Sequence, residues 1–136
     1  MKTTIAPIAE VISQGGRTGS VESADDGFRV EFREPSEDNP SGVTPEHLFG
    51  AAWAACYHGA VRYIAQQRKY PVEGSTVTAK VQRHTEEGAM PFTVELSVTL
   101  PGIDEPAAQR IVRDAHQMCS YTKATRGNVE LKTTLN

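Results

Sequence analysis

A long buried helix is predicted by the stretch Thr44-Pro-Glu-His-Leu-Phe-Gly-Ala-Ala-Trp-Ala-Ala-Cys-Tyr-His-Gly-Ala60. Its first three residues suit, in turn, a helix cap, the first helical position with its fixed φ, and the positive end of the helix dipole. From residue 48 to about residue 64 nearly every position is apolar or small, so the helix has no wide polar face. Because a helix that is apolar all round is buried on all sides, the stretch predicts a central helix that carries Cys56.

The length of the chain predicts that this helix is covered by a second copy. With 136 residues, the chain has the size of a single domain, residues 1–136, and such a domain can hardly wrap a helix completely. We therefore expect an obligate homodimer. Small residues along the helix would permit close approach of the partner: Ala51, Ala52, Ala55, Gly59 and Ala60.

The other elements predict an α+β domain in the order βββ-α-ββ-α-β. Short runs with β-type alternation predict strands at residues 5–13, 19–23, 28–32, 76–82, 92–100 and 128–135. The Asp25-Asp-Gly27 turn joins the second strand to the third, so the first three strands form a meander. Residues 106–118 repeat apolar positions at helical spacing and predict a second, amphipathic helix.

Charge and composition exclude several classes of function. The net charge of -3 and the pI near 5.8 give no basic surface for phosphate backbones, so no nucleic-acid partner is expected. The N-terminus lacks the apolar run of a secretory signal, and the longest apolar stretch, residues 48–61, is too short to span a membrane. We expect a cytoplasmic protein, in which two cysteines are kept reduced and favour thiol chemistry over a static bridge.

The two cysteines, Cys56 and Cys119, are the candidate reactive groups. A cysteine in an apolar helix is usually inert, so Cys56 would need a cation beside it. Arg17 is the candidate, because Gly15-Gly16 before it permits a tight turn, and Glu46 could orient the guanidinium through a bidentate pair. From the residues alone, Arg17 could equally be a solvated residue at a hairpin end and Glu46 a charge that favours a helix N-terminus.

A metal site is the alternative use of the same residues. Cys56 and His58 are two positions apart on a helix, so their side chains point about 200° away from each other. His116 and Cys119 share a face, but two ligands do not close a zinc site. The histidines also suit a buried or interface position and a helix C-terminus. We expect no metal, and the sequence has no phosphate loop, Ser-His-Asp motif or dinucleotide fingerprint.

Two long segments resemble the cysteine motifs of the OsmC/Ohr superfamily. One is the helix quoted above, and the other is Ala115-His-Gln-Met-Cys-Ser-Tyr-Thr-Lys-Ala-Thr-Arg-Gly-Asn128. Gly15-Gly-Arg-Thr-Gly19 also matches, and the order of elements is similar to that fold along essentially the whole chain. Leu-Phe before the first cysteine and Ala-His-Gln before the second resemble the organic hydroperoxide resistance (Ohr) branch more than the OsmC branch.

The resemblance implies an intertwined homodimer and a cysteine-based peroxidase without haem, flavin or metal. It assigns Cys56 as the peroxidatic thiol, Cys119 as the resolving thiol, and Arg17 with Glu46 as the activating pair. It further implies an organic hydroperoxide as substrate, a Cys56–Cys119 disulfide as product, and dihydrolipoamide or a lipoylated protein as reductant. An apolar shell would favour bulky peroxides over hydrogen peroxide, and its candidate residues are Phe49, Trp53, Tyr57 and Met118.

Ser120 departs from the family pattern, which commonly has proline directly after the second cysteine. A proline would stop the helix and fix the position of the sulfur, whereas serine keeps an amide donor.

Two other functions remain open from the sequence. One is a non-catalytic dimeric carrier of small hydrophobic ligands with incidental thiols, and the other is an OsmC-branch peroxidase with a different peroxide preference.

Overall fold

The computed structural model describes residues 7–38 and 40–136 and divides the chain into two compact units. The first unit ends at Pro45 and the second begins at Glu46. Each unit contains one three-stranded sheet, and the second unit also contains the helices, so the α+β class is confirmed. The single domain predicted for residues 1–136 stays a prediction. No helix within residues 7–38 and 40–136 is long and apolar enough to cross a membrane.

The first unit is the predicted meander of antiparallel strands. It comprises β1 (Val11–Gln14), β2 (Ser20–Ser23) and β3 (Arg29–Glu31), in that order across the sheet. The turn before β3 forms as predicted, with the Gly27 amide donating to Oδ1 of Asp25 over 3.1 Å. The first strand is shorter than the predicted 5–13: residues 5 and 6 lie outside the described part, and residues 7–10 are not strand. Pro7 lacks an amide hydrogen and therefore cannot donate to a ladder there.

The glycines before Arg17 make the tight turn that the sequence predicts. Gly15 has φ 80° and Gly16 has φ 64°, a conformation that side chains with a Cβ rarely adopt. The turn then continues into a short 3₁₀ helix, Gly16–Thr18, which the strand pattern did not indicate. Arg17 therefore lies on this 3₁₀ helix between β1 and β2.

The second unit packs three helices with a mixed sheet. Its elements are α1 (Pro45–Gln67), β4 (Thr76–Arg83), β5 (Phe92–Thr99), α2 (Glu105–Met118), α3 (Ser120–Thr125) and β6 (Val129–Leu135). β5 is central, antiparallel to β4 and parallel to β6. The parallel pairing requires a crossover, which α2 and α3 provide.

The buried face of α1 forms the centre of the core. Trp53, Tyr57 and Val61 are fully buried and pack in one cluster with β5 and α2. Gly50 lets the helix approach β4, since a Cβ at this position would lie 3.1 Å from Cγ2 of Val81. Within this single chain α1 is not buried on all sides as predicted, because its opposite face, Ala51, Ala55, Gly59 and Tyr63, is exposed.

α2 is the predicted amphipathic helix, whereas α3 was not predicted. Asp104 caps α2 by accepting a hydrogen bond from the Ala107 amide over 3.2 Å, and Pro106 lies in its first turn. α3 has only six residues and no apolar repeat at helical spacing, so the sequence carried no periodic signal for it.

Candidate active site

The two cysteines lie side by side in the second unit. Cys56 is half-buried on α1, and Cys119, only 1% exposed, lies between α2 and α3. Their Sγ atoms are 3.4 Å apart and both thiols are free. Since a disulfide has an S–S distance of about 2.05 Å, a small movement of the side chains is enough to bond them. The fold therefore brings together two thiols that are 63 positions apart in the sequence.

A break between two helices fixes the backbone of Cys119. The residue has φ −70° and ψ 119°, so α2 ends before it and α3 begins after it. Its amide donates to the Ala115 carbonyl over 2.9 Å, and its carbonyl accepts from the Lys123 amide over 3.1 Å. The helix therefore stops at this cysteine although serine, not proline, follows it.

Ser120→Pro is expected to retain the fold and to raise the free energy of unfolding by about 0.4–1 kcal/mol. Ser120 is the first residue of α3, where proline is favoured, and Cys119 already has the extended conformation that a following proline requires. Urea unfolding of the variant and of wild type measures the difference. A destabilised variant would contradict this account of the break.

An apolar and aromatic shell surrounds the thiols. Both cysteines belong to the same cluster as Trp53, Tyr57 and Phe49. The Phe49 ring lies 5.7 Å from that of Trp53, edge to face, and 5.0 Å from that of Phe92. Met118, the remaining shell residue proposed from the sequence, is 45% exposed. The thiols therefore face a hydrophobic environment that excludes much of the solvent.

Hydrogen bonds connect the residues around the two thiols, and the sequence did not indicate them. Nε1 of Trp53 donates to Oγ1 of Thr122 over 3.1 Å. The same hydroxyl lies 2.9 Å from Nδ1 of His116, and Nε2 of His116 lies 2.8 Å from Oγ1 of Thr133. The Tyr57 ring stacks on His116 at 4.3 Å. Threonines have no spacing signature, so neither Thr122 nor Thr133 could be selected from the sequence.

Burial shifts the protonation equilibria near the thiols. The pKa of Tyr57 is raised mainly by burial and further by its electrostatic interaction with Cys119, so its hydroxyl stays protonated and donates to the Val112 carbonyl over 2.7 Å. The pKa of His116 is lowered by burial and by the charge of Arg126. The pKa of His58 is lowered by burial and by the charge of Arg62. Both histidines are therefore neutral in the folded protein at pH 7.

Stability is expected to fall between pH 7 and pH 5. His116 and His58 have folded-state pKa values below the ordinary 6.5, so the unfolded chain binds more protons in this window. Their contribution is complete above pH 6.5 and is lost as the pH falls through the folded values. The lowered pKa values of Asp25 and Asp114 act below pH 3.8 and do not interfere.

Urea midpoints at pH 5 and pH 7 measure this loss. The variant His116→Asn should show a smaller difference between the two midpoints, because asparagine does not titrate. Equal midpoints for wild type at the two pH values would contradict the assignment.

Arg17 and Glu46 each pair with an oppositely charged residue of their own unit. In the first unit, Nε of Arg17 lies 3.0 Å from Oε1 of Glu34. In the second, Oε1 of Glu46 on α1 lies 3.7 Å from Nε of Arg83. The sequence did not indicate Glu34 or Arg83 as partners. The pairing of Arg17 with Glu46, and its approach to Cys56, stay predictions.

The histidines considered as metal ligands are bound to hydroxyl groups. Nε2 of His58 lies 2.9 Å from Oγ of Ser75, and both nitrogens of His116 contact threonines. As predicted from the helical spacing, the side chains of Cys56 and His58 meet different neighbours, Cys119 and Ser75. In the part of the chain that the structure describes, no three histidine, cysteine or acidic side chains are grouped to hold a metal ion.

The family model described as OsmC-like protein matches residues 37–134. The chain belongs to the OsmC-like family. The organic hydroperoxide resistance protein OhrB of Bacillus subtilis is 36% identical to this OsmC-like chain over 129 residues, covering 91% of this chain and 93% of its own length. The organic hydroperoxide resistance protein of Xanthomonas axonopodis pv. citri is 35% identical over 131 residues, covering 93% and 92%. The predicted likeness to the Ohr branch is confirmed.

Solved structures of this family share the fold. The crystal structure of OhrB from Bacillus subtilis superposes with a TM-score of 0.85 at 34% identity, covering 95% of this chain and 98% of its own. An organic hydroperoxide resistance protein from Legionella pneumophila gives a TM-score of 0.87 at 30% identity, covering 98% and 99%. The OsmC-like fold predicted from the sequence is therefore confirmed over almost the whole chain.

Proposed function

We propose that this OsmC-like protein is a thiol peroxidase that reduces organic hydroperoxides to alcohols. The observation that carries the proposal is the pair of free thiols, with Sγ atoms 3.4 Å apart in an apolar cluster. The names of the Ohr relatives support the substrate class. In a non-catalytic carrier of hydrophobic ligands the thiols would be incidental. Such a function would not explain why the two sulfur atoms lie so close together.

The reaction begins at Cys56. Its thiolate attacks the distal oxygen of the hydroperoxide, the O–O bond breaks, and the alkoxide leaves as an alcohol after taking up a proton. Cys56 becomes a sulfenic acid. Cys56 suits this role because it is the half-buried member of the pair, whereas Cys119 is 1% exposed and out of reach of a bulky peroxide.

Cys119 completes the oxidative half of the cycle. Its sulfur attacks the sulfur of the Cys56 sulfenic acid, the S–O bond breaks, and water leaves as the disulfide forms. Because Cys119 is already adjacent, this step competes well with oxidation by a second peroxide. A dithiol must then reduce the disulfide, and we propose dihydrolipoamide or a lipoylated protein for this role.

Arg17 and Glu46 are proposed to activate Cys56. A guanidinium beside the sulfur would stabilise the thiolate that attacks the peroxide, and the carboxylate of Glu46 would hold the guanidinium in place. Arg17 also pairs with Glu34, a second carboxylate that would help to hold the guanidinium in place. Gly15 and Gly16, both with positive φ, form the tight turn that leads into the 3₁₀ helix of Arg17.

We further propose a homodimer in the cytoplasm. The exposed face of α1 consists of small residues, with Ala51, Ala55 and Gly59 one helical turn apart, and Tyr63 follows at the next turn. Such a face permits close packing of a second helix. Sedimentation equilibrium of wild type and of Ala55→Glu tests the dimer, because a charge on this face should shift the variant to monomer.

Peroxide consumption by the purified protein tests the function. We expect rapid turnover of tert-butyl or cumene hydroperoxide with dihydrolipoamide, and slower turnover with thioredoxin as reductant or with hydrogen peroxide as substrate. Mass spectrometry of the oxidised protein should show a Cys56–Cys119 disulfide. Faster turnover of hydrogen peroxide than of cumene hydroperoxide would instead favour an OsmC-type peroxide preference. No turnover of any peroxide, with both thiols still reduced, would overturn the proposal and leave the carrier function.

A further inference from the structure

His116 contacts every element that carries or flanks the two thiols. It lies in the last turn of α2, three positions before Cys119. Its Nδ1 contacts Thr122 on α3 at 2.9 Å, its Nε2 contacts Thr133 on β6 at 2.8 Å, and its ring stacks on Tyr57 of α1 at 4.3 Å. The imidazole therefore joins four elements around the thiol pair, and the steps proposed for the peroxidase cycle do not use it.

Two contacts, one of them made by His116, connect the segments that carry the two thiols. Tyr57, next to Cys56 in the sequence, stacks on His116, which comes three residues before Cys119. Trp53, three residues before Cys56, donates to Thr122, which comes three residues after Cys119. Both thiols therefore lie between two bridges that run from α1 to the helices on either side of Cys119.

The hydroxyl of Thr122 connects these two bridges. It is 6% exposed, accepts the indole N–H of Trp53 and contacts Nδ1 of His116. A neutral imidazole satisfies the whole set, because one ring nitrogen donates and the other accepts. Every group in the set is buried or half-buried, so the loss of one member leaves each of its neighbours with one partner fewer and little water to replace it.

We propose that His116 is a positioning residue for the disulfide-forming step. Through Thr122 it holds α3, and through Thr133 it anchors the end of α2 on the sheet. These two contacts keep the helix break, and with it the Cys119 sulfur, beside Cys56. The inference rests on the proposed peroxidase cycle, and its effect is on the second step: attack of Cys119 on the Cys56 sulfenic acid.

His116 positions Cys119 and does not act as its base. Both ring nitrogens are engaged by threonine hydroxyls, so neither is directed to a sulfur. The Thr122 contact is the one that fixes Cys119, because Thr122 lies on α3 directly after the break. The Thr133 contact holds the ring itself. This division gives the two ring nitrogens different and separately testable effects.

Three variants of His116 separate the two contacts. Asparagine reproduces a polar atom near Nδ1 and keeps the bond to Thr122, glutamine reproduces one near Nε2 and keeps the bond to Thr133, and alanine removes both. His84→Ala is the matched control, because His84 is also half-buried and lies 2.6 Å from a threonine hydroxyl, that of Thr93. Urea unfolding of each variant first establishes its stability.

The readout is the ratio of two rates in a single turnover with cumene hydroperoxide. Rapid quench and mass spectrometry measure the formation of the Cys56 sulfenic acid and its closure to the disulfide. The fluorescence of Trp53, the single tryptophan of the chain, follows the same steps by stopped flow. We expect the closure rate relative to the first step to fall about tenfold in His116→Ala and His116→Gln, and to be largely restored in His116→Asn.

Equilibration with oxidised and reduced dithiothreitol makes the test independent of peroxide chemistry. The equilibrium constant for the Cys56–Cys119 disulfide should fall in the same order of variants. Wild-type closure and a wild-type equilibrium constant in His116→Ala would overturn the positioning role while leaving the peroxidase intact. The positioning role would also be overturned if closure slowed in His84→Ala as much as in a His116 variant of equal stability, because loss of stability alone would then explain the effect. If wild type does not react with peroxide but the equilibrium constants follow the expected order, the peroxidase proposal fails and the positioning role stands.

Discussion

Cys56→Ser is expected to abolish consumption of organic hydroperoxides, by at least a hundredfold relative to wild type. A serine hydroxyl in this apolar cluster remains protonated and is a poor nucleophile toward a peroxide oxygen. The substitution replaces the Sγ atom with a smaller oxygen at a half-buried position, so the fold should be retained. Steady-state turnover with cumene hydroperoxide and dihydrolipoamide measures the loss, and circular dichroism checks the fold.

Cys119→Ser is the matched control and should behave differently. Cys56 can still reduce one peroxide, so a single turnover should release about one equivalent of alcohol. The sulfenic acid then has no neighbouring thiol at 3.4 Å and is oxidised further to sulfinic acid, which thiols do not reverse. A Cys56→Ser protein with wild-type turnover, or a Cys119→Ser protein that resists overoxidation, would contradict the assignment of roles.

Trp53→Ala is expected to lower the free energy of unfolding by about 3–5 kcal/mol, a large share of the 5–15 kcal/mol typical of a domain. Trp53 is fully buried, packs edge to face against Phe49 and donates to Thr122. Its removal creates a cavity in the centre of α1 and leaves the Thr122 hydroxyl with one partner fewer. Urea or thermal unfolding of the reduced protein measures the change.

Two further variants separate packing from hydrogen bonding at Trp53. Trp53→Phe keeps most of the buried ring but loses the indole N–H, so its loss should be smaller than that of the alanine variant. Gln66→Ala, at an exposed position of the same helix, should change stability by less than about 0.5 kcal/mol. A loss in Trp53→Ala that is no greater than in Gln66→Ala would show that α1 does not hold the core.

Much of the fold could be predicted from local patterns. The apolar run around Cys56 predicted α1, and alternation predicted most strands, because each signal lies within one element. The sequence pattern alone did not indicate the direction of β6: its parallel pairing with β5 depends on a crossover, and no residue spacing records this. α3 was missed because six residues carry too little periodicity.

The candidate site, like the fold, could be predicted from the sequence only in part. The pairing of Cys56 with Cys119 came from resemblance to a family, since a separation of 63 positions gives no local signal. Thr122 and Thr133 were not selected, because a threonine that serves a buried histidine looks the same in sequence as any strand or helix threonine. Arg17 was selected because two glycines precede it. Both glycines have the positive φ angles that a tight turn requires.

The parallel pairing of β5 and β6 also determines when the thiol pair can form during synthesis. A hairpin can close as soon as it is made, but β6 must wait until α2 and α3 have packed across the sheet. Thr133, which holds the His116 ring, lies on β6 and therefore leaves the ribosome after both cysteines. A nascent chain therefore exposes Cys56 and Cys119 before the network that aligns them exists. Such a chain depends on the reducing power of its surroundings, rather than on its own structure, to avoid bonding to other molecules.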